Sequence, residues 1–464
     1  MTSADRAALE GAQLAALRRL IGALLGSADC VSERSLSGSS SSGSDLSLSH
    51  TVGDRAPGAI ENAFWAPRLR AAGIDADLAS LDAFRAALPT VSKAEIVADQ
   101  RMHPPYGSNL TFPREHYVRL HQTSGTTGTP LRWLDDEASW RWMLQGWSRV
   151  FEACGVDAGA RVLFAFSFGP FLGFWTACDA AWMRGCLALT AGGASSKARL
   201  QLLLDHDADV VCCTPTYALR LAEVAADEGL DLARPARPRK IIVAGEPGGS
   251  LEAVRRRLAE AWGGAEVYDH HGMTEVGPVS YPCPDRPGVL RILESSYLAE
   301  VLDLDTGEPV AAGDTGELVL TTLGRIGSPL LRYRTGDLVR PLALDVVDLP
   351  LDGGILARVD DMVVVRGVNL YPSAVDRVVR GFAEIAEYRV TLSIERAMTE
   401  AEIEIEPHPG LDGVASAFLV ERVADALRTA FQIRLPVTAT APGALPRFDL
   451  KASRWRRQGD EAGR

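Results

Sequence analysis

The chain has 464 residues with 48 basic and 60 acidic side chains, a formal charge of −12. Hydrophobic residues make up 47% and charged residues 23%, the balance of an ordinary globular protein long enough for about two to four compact units. The acidity argues against a chain whose main task is to hold nucleic acid or anionic lipid, and no apolar run approaches the roughly 20 residues that span a bilayer.

From the N-terminus, Leu9, Leu14, Leu17, Ile21, Leu24 and Leu25 recur at mostly helical spacing and predict an amphipathic helix over residues 5–26. A serine-rich stretch follows at 32–49, without apolar periodicity, and is expected to be flexible. The seven cysteines contain no CxxC pair, so no metal or redox site is expected from them; Cys212 and Cys213 close an apolar run and read as the end of a buried strand. The first residues lack the pattern of a secretory signal, and a reducing cytoplasm is the expected setting.

From about residue 160, strands expected at Arg161–Phe166, Ala208–Cys213, Lys240–Ala244 and Ala265–Tyr268 alternate with helical patterns reaching Arg184, Tyr217–Asp227 and Leu251–Trp262. This rhythm predicts an α/β fold with a mainly parallel sheet flanked by helices, on which ligands bind at the carboxyl ends of the strands. Leu298–Asp303 and Glu317–Thr322 read instead as an antiparallel β subdomain. Beyond Ala357–Asp360 a small α+β unit is expected: strand Met362–Arg366, helix Ser373–Gly381, strands Tyr388–Ile394 and Glu402–Pro407, and helix Ala415–Gln432. The expected division is residues 1–57 as a leading helix and flexible segment, 58–357 as a large domain and 358–464 as a small mobile domain.

Five segments carry chemistry-bearing residues. Thr123–Pro130 (TSGTTGTP) combines glycines, which admit a close ligand, with hydroxyls suited to phosphate oxygens; without a Gly-Lys-Ser/Thr ending it is not a Walker loop, and a plain polar turn is the alternative. Asp269–Pro278 (DHHGMTEVGP) places Glu275, a hard oxygen ligand of the kind Mg²⁺ prefers, after a strand. Arg332–Val339 (RYRTGDLV) places Asp337 where a carboxylate can accept two vicinal ribose hydroxyls, or serve as a turn aspartate. Arg358–Pro372 opens the last unit with Arg358, Asp360 and Asp361, and Leu445–Arg454 (LPRFDLKASR) exposes Lys451 among small residues.

In this order, and together with NAFWAPRLRAAGI at 62–74, CCTPTYAL at 212–219 and GEP at 245–247, these segments resemble the adenylate-forming acyl ligases, specifically the phenylacetate–CoA ligase branch, from about residue 58 to the end. The resemblance implies an ATP-dependent, AMP-forming ligase for an aromatic acid, with Mg²⁺ and coenzyme A as its other requirements. Ser124, Gly125, Thr126, Thr127 and Gly128 would wrap the β- and γ-phosphates of ATP. Gly245, Glu246 and Pro247 would border the adenine, with His270, His271, Gly272 and Met273 beside it. Thr274 would contact the α-phosphate and Glu275 hold Mg²⁺. Asp337, aided by Arg358, would take the ribose. Asp360 is the family's hinge position, and Lys451 would bridge the acid and the α-phosphate. Phe166, Phe168, Phe171 and Phe174 would form an apolar slot for a flat ring, closed by Ala191, Gly192, Gly193 and Ala244.

The chain departs from the family pattern at His271, where many relatives carry Tyr, and at Leu450, where Gly usually precedes the lysine. Only Cys283 stands near the place where some relatives hold a structural metal, so none is expected. An enzyme that passes the acyl group to a carrier protein or an amine shares every motif, and a non-catalytic nucleotide-binding homologue is a rival of another class. A monomer or homodimer is expected, with no nucleic-acid or membrane partner.

Overall fold

The structure is a computed structural model and describes residues 3–27, 59–123, 130–170, 172–232, 238–246, 248–366, 368–395, 398–448 and 454–458. The serine-rich stretch at 32–49 lies outside them.

A five-stranded parallel sheet runs in the order Leu187–Thr190, Arg161–Phe164, Val210–Cys213, Lys240–Ala244, Glu266–His270. Successive side chains enter opposite cores: Val162, Phe164, Val210, Cys212 and Ile242 face the main cluster, while Leu163, Val211, Cys213, Ile241 and Val243 face a second one beneath helices Pro215–Asp227 and Glu252–Ala261. Burial on both faces explains why these strands read as continuous apolar runs rather than alternating ones. It also points Cys212 and Cys213 in opposite directions. Strand ends differ from the sequence reading by one or two residues. The strand Leu187–Thr190 was not expected; it is an edge strand of only four residues, set closely behind the helix Trp175–Met183.

The antiparallel expectation for the next region extends to four strands, Tyr297–Leu302, Gly316–Thr322, Tyr333–Val339 and Ala357–Arg358, paired in that order. A third hydrophobic core begins at Val363. There the hairpin Ile385–Glu395 and Met398–Pro407 gains Trp455–Arg457 on one edge and Val437–Ala439 on the other, and helices Pro372–Val379 and Gly413–Phe431 supply Val375, Val379, Leu419, Val423 and Leu427.

The first helix, Ser3–Leu24, does not stand apart. Its Leu17, Leu20, Ile21 and Leu24 are fully buried in the main core, and Arg6 donates to the buried Glu294 carboxylate at 2.8 Å. The apolar stripe of this helix is thus part of the main core of the large unit. Among the described residues no helix is long and apolar enough to cross a membrane.

Substituting Leu20 by Ala should therefore cost about 2–5 kcal/mol of global stability. Urea unfolding followed by tryptophan fluorescence checks this; an unchanged midpoint would mean that the first helix is peripheral.

Candidate functional site

The candidate residues gather past the carboxyl ends of the parallel strands and along the neighbouring antiparallel sheet. Ala244 and His270 end their strands, and Asp337 pairs across the sheet with Arg358. Arg358 Nη1 donates to Asp337 Oδ1 at 2.7 Å, and His271 Nε2 lies 3.0 Å from Asp337 Oδ2. A second bond from Arg358, to the Thr335 carbonyl at 3.2 Å, fixes the guanidinium plane. Burial works against the Arg358 charge, but Asp337, Asp360, Asp361 and Glu275 together hold its pKa above the ordinary value. His271 Nδ1 is buried without a hydrogen-bond partner among the described residues. Gly272 has no room for a side chain, because a Cβ would lie 2.8 Å from the Gly277 carbonyl oxygen.

Glu275 is buried, and Lys93 Nζ lies 3.1 Å from its Oε1. Lys93 opens the helix Lys93–Met102, which Ser92 and Glu95 start with a capping box. A cation in the first turn opposes the helix dipole, so Lys93 breaks a local rule and is compensated by its carboxylate partner. That conflict was visible in the sequence but not used. A second missed residue is Arg325, which is fully buried. It pairs with the equally buried Asp135 through Nε and Nη2, each at 2.7 Å, and donates from Nη1 to the carbonyls of Thr274 (2.9 Å) and Glu275 (2.8 Å). Burial alone would raise the Asp135 carboxyl; Arg325 holds it below its usual value. No motif announces such a pair, since Asp135 and Arg325 are 190 positions apart.

Other candidates are spent on the protein itself. Glu246 accepts the Thr216 backbone N–H at 2.7 Å and so starts the helix Pro215–Asp227, leaving Gly245, at φ +92°, as the described part of GEP that can bend around a ligand. His270 is buried against Trp147, ring centroids 4.2 Å apart, with Nδ1 2.7 Å from the Ser280 carbonyl. It is a core residue, and His271 is the histidine that faces the Asp337 carboxylate. Thr274 Oγ1 accepts from Leu172 N at 3.4 Å, and Met273 pairs with Gly277 in a two-residue strand. Phe166 and Phe174 lie in the main core, their centroids 4.4 Å apart, and Phe174 also packs against Trp147 at 5.8 Å. Phe168 is half-buried at 4.7 Å from Phe166 and covers Gly192, where a Cβ would sit 2.9 Å from its ring. Ala191 is buried and Gly193 has φ +76°. The loop Ser124, Gly125, Thr126, Thr127, Gly128, together with Phe171, Pro247 and Lys451, lies outside the described residues. Asp360 sits in the short turn Val359–Asp361, 3.4 Å from Arg358 Nη2.

Burial pushes the His270 pKa down from 6.5 to about 3 and the neighbouring Asp269 up from 3.8 to about 6. The two have opposite consequences. An unfolded chain protonates His270 first, so its contribution is whole above pH 6.5 and lost as pH falls toward 3; Asp269 gains protons first in the folded state, so acid favours folding between about 6 and 3.8. Replacing His270 by Phe leaves only the Asp269 effect. The stability difference between wild type and H270F should then move in the variant's favour by at most about 1.4 kcal/mol per pH unit below 6.5. Urea midpoints at a series of pH values check it, and parallel curves would contradict it.

Residues 80–324 match the AMP-binding enzyme family, and residues 367–456 match the AMP-binding enzyme C-terminal domain. Phenylacetate-coenzyme A ligase of Thermus thermophilus is 32% identical over 378 residues, 76% of this chain and 82% of that one. Among solved structures, 2-hydroxyisobutyryl-CoA ligase in the postadenylation state overlays with a TM-score of 0.75 at 27% identity, over 85% of each chain. The same ligase in its thioesterification state overlays over the same share of each chain at 29% identity, but with a TM-score of 0.58. At equal coverage, the overall arrangement of this chain is the nearer to the former. The chain belongs to the AMP-binding enzyme family, the adenylate-forming superfamily that includes the phenylacetate–coenzyme A ligases.

Proposed function

We propose that this protein is an ATP-dependent, AMP-forming acid–thiol ligase that adenylates a carboxylic acid, with an aromatic, phenylacetate-like acid as substrate, and transfers the acyl group to coenzyme A. What carries the reading is that Asp337, from one motif of a family member, is met by Arg358 from a second at 2.7 Å and by His271 from a third at 3.0 Å. The identity to a phenylacetate-coenzyme A ligase supports the acid and the acceptor. The half-buried Phe168 beside Gly192 is the described residue best placed to meet a ring.

The first step brings two anions together. The acid's carboxylate oxygen attacks the α-phosphorus of ATP, the bond to the bridging oxygen breaks, and pyrophosphate leaves. Negative charge builds on the phosphorus oxygens, so positioned cations and donors matter more than proton transfer. Asp337, held by Arg358 through Oδ1 and facing His271 through Oδ2, is the carboxylate that would accept the ribose hydroxyls. The phosphate loop carries no lysine, and the Lys93 ammonium beside Glu275 takes that part for the outer phosphates. Glu275 fits Mg²⁺ as a single buried carboxylate, since this ion takes one or two carboxylates plus phosphate oxygens and water; bound there, the metal would neutralise phosphate charge. Lys451 reaches the α-phosphate from residues 358–464, the mobile unit, which turns about Asp360. We assign the present arrangement to the adenylation side of that turn, following the TM-scores. The thiol then attacks the acyl carbonyl and AMP leaves.

Pyrophosphate release, measured with aryl and small branched aliphatic acids, with and without coenzyme A, tests the reading. Turnover with an aryl acid that needs coenzyme A is expected. Turnover that ignores coenzyme A but rises with a carrier protein would assign a different acceptor, and a preference for the aliphatic acids would overturn the aromatic substrate. Substituting Lys451 by Ala should lower adenylation by about 10²–10³-fold and leave transfer from a supplied acyl-adenylate nearly unchanged. Equal loss of both half-reactions would contradict the role of Lys451.

A further inference from the structure

Arg199, in the opening turn of the helix Ser196–Asp205, is only 6% exposed. Its Nε donates to the Ala191 carbonyl at 3.0 Å and its Nη1 to the Ala165 carbonyl at 3.5 Å. The guanidinium carbon lies 4.9 Å from the centre of the Tyr217 ring, and Tyr217 is itself buried and fixed by a 2.9 Å hydrogen bond between its hydroxyl and Ser196 Oγ. Among the described residues Arg199 thus meets carbonyl oxygens and a ring, and no carboxylate. An interior charge left without a counter-ion is costly, so the guanidinium has to be needed for what it joins.

It joins two strand ends. Ala165 follows the strand Arg161–Phe164, and Ala191 follows its parallel neighbour Leu187–Thr190. Both alanines, with Tyr217, belong to the second core, so Arg199 reaches the two carbonyls from that side of the sheet. The chain past Ala165 carries Phe166 and Phe168, and the chain past Ala191 carries Gly192 and Gly193. These two loops meet again further out, where a Cβ on Gly192 would lie 2.9 Å from the Phe168 ring and 3.7 Å from the Phe166 carbonyl oxygen. The guanidinium therefore fixes the loops at their base, and the contact of Gly192 with Phe168 fixes them at their rim. A rigid planar fork can hold two acceptors at a set separation, which the single ammonium of a lysine does not.

We infer that Arg199 is a positioning residue for the acid pocket, which sets the separation of the Phe168 and Gly192 loops and with it the width left for a ring beside them. This rests on the aromatic-acid reading above, which places the acid at Phe168 and Gly192.

The test uses full-length R199M, R199K and G192A, with acid-dependent pyrophosphate exchange read for phenylacetate and for the wider naphthylacetate. R199M keeps a long apolar stem without donors, and R199K keeps the charge at a single point. Loss of the hydrogen bonds from a charged donor predicts a KM for phenylacetate about tenfold higher in R199M, with the KM for ATP within about twofold. Preference should move toward naphthylacetate by about tenfold, the scale of a small change in pocket size. R199K should fall between wild type and R199M, and it decides the matter if R199M does not fold. G192A presses on the Phe168 ring from the other loop and should move the preference while Arg199 is intact. A preference moved by G192A but by neither Arg199 variant, or equal losses for acid and ATP, would overturn the positioning role and leave the pocket standing. A preference that none of the three moves would overturn the placement of the acid as well, and exchange with no acid in the wild type would overturn the ligase reading itself.

Discussion

The site depends on a charge pair that no solvent reaches. Arg325 and Asp135 are both fully buried, and taking two charges out of water costs several kcal/mol per ion unless the remaining donors and acceptors are used. Here they are used: the guanidinium makes two bonds to Asp135 and two to the carbonyls of Thr274 and Glu275. Asp135 lies on the strand Arg132–Asp136, which leads out of the Thr123–Pro130 segment, so one cation joins the backbone behind two candidate phosphate-facing elements. Asp136 beside it caps the helix Glu137–Ala153, which extends the same anchor into the main core. An apolar pair of equal volume would fill the space but would leave two carbonyls unanswered.

Around that anchor the electrostatics are local rather than global. A chain of net charge −12 repels anions at long range, yet polyanionic ligands are the ones this family takes. The answer lies in cations held at short range by carboxylates: Arg358 by Asp337, and Lys93 by Glu275. At contact distance in a partly dry cleft such pairs far outweigh the diffuse field, which salt screens beyond about 8–10 Å. Each pairing also holds the carboxylate in place before a ligand arrives, so little ordering is left to be done on binding.

Much of the fold was legible because both faces of the central sheet are covered. Double burial yields the apolar runs at 161–164, 210–213 and 240–244, and helix-length patterns between them. The edge strand Leu187–Thr190 was not legible although three of its four residues are apolar, because so short a run close behind a helix does not stand out. The motif residues Asp337 and Glu275 could be named from local pattern and family resemblance. Residues that serve other residues could not. Arg325 and Asp135 meet only in the folded chain, and the packing that draws Phe174 and His270 into the core around Trp147 is a three-dimensional fact. Lys93 stands between these cases, because a lysine at the start of a capped helix is a local contradiction that sequence reasoning can see.

The same logic bears on how the small unit is fastened to the large one. The attachment relies on the guanidinium groups of Arg454 and Arg447, shared with buried carboxylates of the small unit, Glu387 and Glu406. When the units part, those arginines keep their inner partners and surrender only the outer ones, Thr216 and Glu223, to water. The undocked state thus exposes satisfied charges rather than orphaned ones, and the difference between the two states stays small enough for bound ligands to decide it.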